Sequence, residues 1–258
     1  MSDPSPPAAG GAAAPLVVVP SIDLRGGRVV RLKQGDYGRQ VTYDVDPLAT
    51  ARSFADAGAA WMHVVDLDGA KEGRPVQSDL VTQIIQSTGQ RVECGGGVRS
   101  EDDVRRLLDA GAARVVVGTR AVEDWPWFEG LLGRPEFADR LVLALDAQEG
   151  RVATRGWTET TARLATDVAR QVAGYPLAAI LYTDVAKDGM LQGPNLHHTR
   201  SLAEAGPVPV IASGGVGTVD HIRALRPLVP LGVWGVIVGR SLYEGTVDLR
   251  DALRAAAA

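Results

Sequence analysis

Two aspartates occupy matching places in the chain and are the first candidates for proton-transfer chemistry. Asp23 follows the apolar run Leu16–Ile22, and Asp146 follows the run Leu141–Leu145. One carboxylate accepts a proton while another donates one when their surroundings separate the two pKa values. Such a pair suits proton movement beside a carbonyl or imine without a metal or cofactor. We therefore predict that Asp23 and Asp146 are catalytic; the alternative is that each only caps a loop.

Glycine-rich turns after four other apolar runs predict sites for anions. Glycine lets backbone N–H groups approach an anion closely, and a helix N-terminus adds partial positive charge. A plain tight turn is the alternative, but the turns form two sets in the same order, which favours phosphate binding. The predicted contacts are Gly96, Gly97, Gly118 and Thr119 in one set and Gly214, Gly215, Gly239 and Arg240 in the other. Two sets predict a small substrate with a phosphate at each end.

These paired motifs belong to an internal duplication. Four segments recur in the same order roughly 120 residues later, about half the chain. The pairs are Ile22–Val29 with Leu145–Val152, Val65–Gly69 with Thr183–Gly189, Glu93–Val98 with Ile211–Val216, and Val115–Arg120 with Val236–Ser241. The duplication predicts two similar halves, at about residues 16–138 and 139–258.

Eight short apolar runs alternate with longer segments of helical spacing. Near-continuous Val, Ile and Leu runs are typical of parallel strands that are buried on both faces. The predicted strands are Leu16–Ile22, Trp61–Leu67, Arg91–Cys94, Arg114–Val117, Leu141–Leu145, Ala179–Thr183, Val208–Ala212 and Val233–Val238; helices include Pro47–Ala57, Ser100–Ala110, Glu159–Val172 and Val219–Leu225. Eight such units predict one (β/α)8 TIM barrel over residues 16–258, with a doubly wound open sheet as the alternative. In a barrel, the paired motifs gather at the C-terminal face.

The composition narrows the classes of protein that fit. The chain has 258 residues, of which 45% are hydrophobic, and a net charge of −4, which argues against a nucleic-acid binder. Its single cysteine, Cys94, excludes an intramolecular disulfide and a Cys-rich zinc site. No run approaches the roughly 20 apolar residues of a membrane span. We predict a cytoplasmic monomer with no metal, cofactor, nucleic-acid or membrane partner, preceded by a disordered tail at residues 1–15.

Several motifs together resemble a known family over residues 16 to about 250. They are Pro20–Leu24, Gly27–Leu32, His63–Ala70, Gly95–Arg99, Gly156–Trp157, Thr183–Gly189 and Ala212–Val216. This set is similar to the ProFAR isomerases of histidine biosynthesis (ProFAR is phosphoribosylformimino-5-aminoimidazole carboxamide ribotide). The resemblance implies an Amadori rearrangement, in which an aminoaldose ribose opens and becomes an aminoketose. The substrate of that family carries two phosphoribosyl ends.

The resemblance also implies roles for individual residues. Asp23 would take the proton from C2′, and Asp146 would act as the acid that helps to open the furanose ring. Further residues that it implies as substrate contacts are Arg31, Arg155, Trp157, Thr183 and Asp188.

Two relatives and one unrelated class remain as alternatives. A bifunctional isomerase also acts on phosphoribosylanthranilate, but Gly95 stands where that form resembles Ser, and Met190 stands where Thr is usual; a monofunctional enzyme is favoured. The cyclase subunit of imidazole glycerol phosphate synthase is less similar, because Ser21 and Arg31 differ from its motif. A non-catalytic phosphosugar-binding barrel would bind ligand regardless of Asp23 and Asp146.

Overall fold

The computed structural model describes residues 15–154, 157 and 159–257. The strands are β1 (Val17–Arg25), β2 (Arg28–Lys33), β3 (Asp36–Thr42), β4 (Trp61–Asp66), β5 (Arg91–Gly95), β6 (Arg114–Val117), β7 (Leu141–Gln148), β8 (Arg151–Thr154), β9 (Glu159–Leu164), β10 (Ala179–Asp184), β11 (Val210–Ser213) and β12 (Val233–Val238). The α-helices are α1 (Pro47–Asp56), α2 (Leu67–Glu72), α3 (Ser78–Thr88), α4 (Glu101–Asp109), α5 (Thr119–Glu123), α6 (Trp125–Leu132), α7 (Ala165–Gln171), α8 (Leu196–Ala205), α9 (Val219–Leu225), α10 (Arg240–Tyr243) and α11 (Leu249–Ala257). Two 3₁₀ helices span Pro135–Phe137 and Arg226–Leu231.

Eight of these strands close into a parallel barrel. The order around it is β1, β4, β5, β6, β7, β10, β11 and β12, and β12 pairs with β1 to complete the circle. The predicted (β/α)8 barrel is therefore confirmed, and the open sheet is excluded because a closed barrel has no edge. Since β1 and β7 lie four strands apart in a ring of eight, their C-terminal ends face each other across the mouth.

Each of these two opposite strands continues into an antiparallel extension that was not predicted. β1 runs on to Arg25 and pairs with β2, which pairs with β3; β7 runs on to Gln148 and pairs with β8 and then β9. Asp23 and Asp146 therefore lie within strands rather than at strand ends. The matching extensions agree with the predicted duplication, whose boundary near residue 138 stays a prediction.

The helix predicted over Glu159–Val172 is wrong in its first half. Glu159–Leu164 forms strand β9, and the helix begins at Ala165. The two threonines at 160 and 161 favour a strand, because a β-branched side chain restricts χ1 less in a strand than in a helix. Pairing with β8 then decides the conformation of this segment.

Two of the predicted helices begin at residues whose side chains cap them. Asp46 accepts a hydrogen bond from the Ala49 N–H at the start of α1, and Pro47 occupies the first position. Ser100 and Asp103 form a reciprocal capping box at the start of α4. These contacts end the preceding loops and orient two helices on the outside of the barrel.

The core lies on both sides of the strands. One cluster joins strands to helix residues such as Phe54, Ile84 and Leu131. A second cluster, drawn almost wholly from strands, fills the barrel lumen, and in it the Arg114 guanidinium lies between the rings of Trp61 and Trp234, 4.3 and 4.6 Å from their centres. Trp61 and Arg114 are the first residues of their strands, so these stacked side chains close the N-terminal end of the barrel. The opposite end is left for a site.

Within the described ranges, none of the helices is both long and apolar enough to cross a membrane. The tail predicted for residues 1–15 lies outside the described residues, apart from Pro15.

Candidate active site

Arg31 joins two buried carboxylates that come from distant parts of the chain. Its Nη1 donates to Asp23 Oδ2 at 2.6 Å, and its Nη2 donates to Asp188 Oδ1 at 2.8 Å. Burial alone would lower the pKa of Arg31, but Asp188 and Asp23 outweigh it and raise that pKa. The guanidinium therefore stays charged and fixes the position of the carboxylate of Asp23, a residue that is only 8% exposed.

Asp146 has different surroundings across the mouth. It lies beside Thr183 in the pairing of β7 with β10, and its carboxylate accepts hydrogen bonds from the Thr183 and Trp157 side chains. Burial raises the pKa of Asp146 above its ordinary value, these two hydrogen bonds oppose the rise, and the charge of Asp188 adds to it. The carboxyl is therefore protonated up to a higher pH than an ordinary aspartate. A neutral carboxyl with hydrogen-bonding neighbours is suited to donate a proton.

The charge of Asp188 interacts with both of the proposed catalytic aspartates, Asp23 and Asp146. Burial raises the pKa of Asp188, and the adjacent Arg31 opposes that rise. Its charge acts on Asp146 as well as on Arg31. The structure thus brings Asp23, Arg31, Asp146, Thr183 and Asp188 to one end of the barrel, as the sequence predicted. The two carboxylates across this end have unlike environments, which an acid–base pair requires.

The second glycine set lines one cleft beside Arg31. The residues around it include Arg31, Gly189, Gly214, Gly215, Gly239 and Arg240. A Cβ added at Gly239 would lie 2.8 Å from Ser21 Oγ and 3.2 Å from Arg31 Nη1. The missing side chain therefore lets the turn after β12 lie directly against the guanidinium. Arg240 donates to the Gly189 carbonyl and to Glu244, which ties its side chain to neighbouring loops.

Close backbone packing, without any ligand, is a second reason for glycine at the paired positions. A Cβ at Gly96 would lie 2.1 Å from the Asp66 carbonyl oxygen, and a Cβ at Gly215 would lie 2.3 Å from that of Gly193. Gly97 and Gly214 approach backbone in the same way, and all four have left-handed φ angles. Tight packing explains these glycines on its own. Phosphate binding by them is therefore still a prediction.

Gly118 and Gly239 give direct geometric support to the duplication. Each directly precedes a short helix, α5 or α10, and the backbone angles are nearly the same: φ −107° and ψ −109° at Gly118, φ −117° and ψ −98° at Gly239. Thr119 and Arg240 are the first residues of these helices. The two turns therefore have the same geometry in the two halves of the barrel.

Two further predicted residues, Arg155 and Trp157, fall in the sequence between β8 and β9. Arg155 is outside the described residues, as is Gly156 of the motif. Trp157 is described: its backbone N–H donates to the Thr154 carbonyl at 3.0 Å, and its φ of 72° is in the left-handed region. Its indole N–H is the donor that reaches Asp146, since a tryptophan side chain has only that donor.

Two other aspartates organise the loops around the mouth. Asp66 accepts from the N–H groups of Gly69, Val76 and Gln77, each at 2.7 Å. Its counterpart Asp184 accepts from Asn195 Nδ2 at 2.6 Å. Their matching places in the repeat are the sequence signal for this role.

Tyr243 is a residue of the site that sequence reasoning missed. Its hydroxyl donates to the Ser21 carbonyl at 2.7 Å, two residues before Asp23, and its ring stacks on Tyr43. Burial raises the pKa of Tyr243 well above its ordinary value, so the hydroxyl remains a donor. No motif marks it, because both contacts join distant segments.

In the described part of the chain, no three His, Cys, Asp or Glu side chains form a group that would hold a metal ion. Cys94 is buried in the core, and burial raises the pKa of its thiol to about 12.

Gly95 provides a test of packing beside the site. A Cβ here would lie 2.8 Å from the Val116 carbonyl oxygen and 2.9 Å from Val116 Cβ, on the neighbouring strand. We expect Gly95→Ala to lower the free energy of unfolding by about 1–3 kcal/mol, the range for an overpacked core. Urea unfolding measures this change. Gly130→Ala is the control: it lies in helix α6 with nothing within 4 Å, so it is expected to be neutral or stabilising, and equal losses in both variants would contradict the packing argument.

The chain is similar to known proteins over most of its length. The family described as "Histidine biosynthesis protein" matches residues 17–248. Relatives from Synechococcus elongatus and Cyanothece sp. are 49% and 48% identical over 238 residues, which is 92% of this chain and 92% of each relative. A relative from Parasynechococcus marenigrum is 48% identical over 240 residues, 93% of each chain. All three are named as isomerases of an imidazole-4-carboxamide that carries a 5-phosphoribosyl and a 5-phosphoribosylamino group. The chain therefore belongs to the histidine biosynthesis protein family.

Proposed function

We propose that this protein is a ProFAR isomerase that converts the aminoaldose ProFAR into the aminoketose PRFAR. The observation that carries the proposal is the pair of unlike carboxylates across the mouth: Asp23, bound to Arg31, and Asp146, whose pKa burial raises. The names of the similar proteins identify the substrate class.

The rearrangement needs several proton transfers, and we assign the first two to these residues. Asp146, protonated, donates to the ring oxygen as the C1′–O bond breaks, which leaves an open-chain protonated imine between C1′ and the substrate nitrogen. Asp23 then accepts the proton from C2′, giving an enaminol. Return of a proton to C1′ and loss of the 2′-hydroxyl proton complete the ketose. No electron acceptor is required, because the substrate is oxidised at C2′ and reduced at C1′, so the proposal calls for no cofactor.

The two ends of the substrate fit the duplicated turns. One phosphate would lie in the cleft of Gly214, Gly215, Gly239 and Arg240, and the other at Gly96, Gly97, Gly118 and Thr119. Backbone N–H groups at such turns bind phosphate in barrels of this kind. Arg31, Arg155, Trp157, Thr183 and Asp188 would contact the part of the substrate between them.

We also propose that the enzyme is monofunctional, working in the cytoplasm as a monomer. Gly95, which stands where the bifunctional form resembles Ser, has no room for a Cβ beside Val116. Turnover of purified protein on ProFAR and on phosphoribosylanthranilate, side by side, tests this. ProFAR conversion alone supports the proposal, conversion of both substrates overturns monofunctionality, and conversion of neither overturns the activity. A light-scattering mass near 27.2 kDa tests the monomer.

The raised pKa of Asp146 predicts the shape of the pH profile. Since the acid must be protonated, kcat is expected to fall as the pH rises through the pKa of Asp146. Thr183→Val removes a hydrogen bond that lowers this pKa, so the pKa rises and the alkaline limb of kcat moves to higher pH. The control Thr160→Val changes an exposed residue on β9 and is expected to leave the limb in place. An alkaline limb that stays fixed, or moves to lower pH, in Thr183→Val would contradict the assignment of Asp146 as the acid.

A further inference from the structure

The turn between β2 and β3 touches the ring of Trp157 from the other half of the barrel. A Cβ added at Gly35 would lie 2.6 Å from Trp157 Cε3 and 2.9 Å from Cζ3. Gly35 has a left-handed φ of 70°, and Gln34 before it has φ 51°. The indole therefore lies against the backbone of the turn, at a distance that no side chain on Gly35 would allow.

The hairpin that carries Gly35 is anchored, so the turn cannot easily retreat. The Tyr37 hydroxyl donates to the Leu67 carbonyl at 2.9 Å, and the Arg25 guanidinium lies 5.0 Å from the centre of the Tyr37 ring. β2 is itself paired with β1, the strand of Asp23. A bulkier residue at 35 would thus displace the tryptophan ring rather than the hairpin.

The other side of the same indole reaches the proposed acid. The Trp157 backbone N–H donates to the Thr154 carbonyl, and its side chain donates to the Asp146 carboxylate. The ring is therefore held between Gly35 on β2–β3 and Asp146 on β7. A displacement at one contact changes the geometry of the other.

We propose that Gly35 is a positioning residue for the isomerisation, which acts by letting Trp157 lie close enough to hydrogen-bond Asp146. Gly35 touches neither the proposed acid nor the proposed base; its effect passes through the indole. The kinetic part of this inference rests on the proposed function, whereas the contact between Gly35 and Trp157 does not.

Gly35→Ala tests the inference, with Gly27→Ala as the matched control. Gly27 has nearly the same φ, 72°, in the neighbouring hairpin turn, but nothing lies within 4 Å of an added Cβ. Both variants incur the same backbone strain, and only Gly35→Ala meets the indole. We expect Gly35→Ala to lower kcat/KM on ProFAR by at least about tenfold, as misplaced active-site groups do, and Gly27→Ala to remain near the original value.

The pH profile separates positioning from simple destabilisation. Loss of the indole hydrogen bond raises the pKa of Asp146, so the alkaline limb of kcat should move to higher pH in Gly35→Ala and not in Gly27→Ala. In a Trp157→Phe background, which lacks the donor, adding Gly35→Ala should produce no further shift. A shift that persists in that background, or one that appears equally in Gly27→Ala, would overturn the inference.

Acrylamide quenching of tryptophan fluorescence tests the contact without turnover. The Trp157 contribution is the difference between a protein and its Trp157→Phe form. We expect this contribution to be more strongly quenched in Gly35→Ala than in Gly27→Ala; equal quenching would overturn the contact itself. If the unaltered protein does not convert ProFAR, the proposed function fails, and the quenching result still decides whether Gly35 sets the position of Trp157.

Discussion

Asp23→Asn is expected to lower kcat on ProFAR by about 10²–10⁴-fold, the usual loss when a general acid or base is removed. The amide has the same shape as the carboxylate, and its oxygen can still accept from Arg31, so the substrate site should keep its form. It cannot take the C2′ proton. Steady-state kinetics should therefore show the loss in kcat, with KM changed little.

The control for this variant is Asp109→Asn, at the exposed C-terminal end of α4, where the helix leads into the N-terminal end of β6. It makes the same chemical change in a carboxylate away from the mouth, and kcat should stay within about twofold of the original, in keeping with the small effects of surface substitutions. Equal loss of substrate binding and turnover in Asp23→Asn would instead mean that Asp23 holds the structure of the mouth.

Arg31→Met is expected to produce the largest loss of stability. Methionine has an apolar side chain of comparable reach but leaves Asp23 and Asp188 buried without their cation. Removing one partner of a buried ion pair costs about 3–5 kcal/mol. We expect that decrease in the free energy of unfolding at pH 8, together with loss of turnover, because the proposed base is no longer held in place.

The loss in Arg31→Met should depend on pH in a defined direction. Arg31 lowers the pKa of Asp188 against the effect of burial, so its removal raises that pKa further above the value in the unfolded chain. A carboxyl with a raised pKa in the folded state stabilises the fold at low pH, and this stabilisation is lost as the pH rises through the folded-state pKa. Urea unfolding at pH 5 and pH 8 should therefore show a smaller deficit at pH 5. Arg28→Met, exposed on the same strand, is the control; an unchanged deficit at both pH values would contradict the ion-pair argument.

The barrel itself is predictable because its strands are buried on both faces. A run such as Val233–Val238 is buried along its whole length and reads as continuously apolar. The antiparallel extensions have no such pattern. β3 and β9 are largely exposed, with polar residues at most positions, so apolar periodicity does not mark them. Their strand conformation comes from pairing with β2 and β8, which the local sequence does not encode.

In the candidate site, likewise, the sequence identifies individual residues but not the contacts between them. The duplication identified Asp23 and Asp146 as a matched pair, and the resemblance identified Arg31 and Asp188 individually. Neither the duplication nor the resemblance predicts that Arg31 binds both Asp23 and Asp188, which is a contact across the barrel. Neither predicts that burial raises the pKa of Asp146. Gly35 carries no sequence signal for its contact with Trp157, because a glycine in a hairpin turn is expected for its φ angle alone.

Proton NMR of ProFAR incubated with the purified protein, beside Asp23→Asn and Asp146→Asn, tests the proposed chemistry at the atom where it occurs. The expected result is that the unaltered protein removes the C2′ proton signal as the aminoketose forms, while ProFAR with Asp23→Asn keeps that signal and yields almost no ketose. Asp146→Asn should likewise slow conversion strongly, because the ring does not open. Conversion by Asp23→Asn at the original rate, or an unchanged ProFAR spectrum with the unaltered protein, would contradict the proposed reaction.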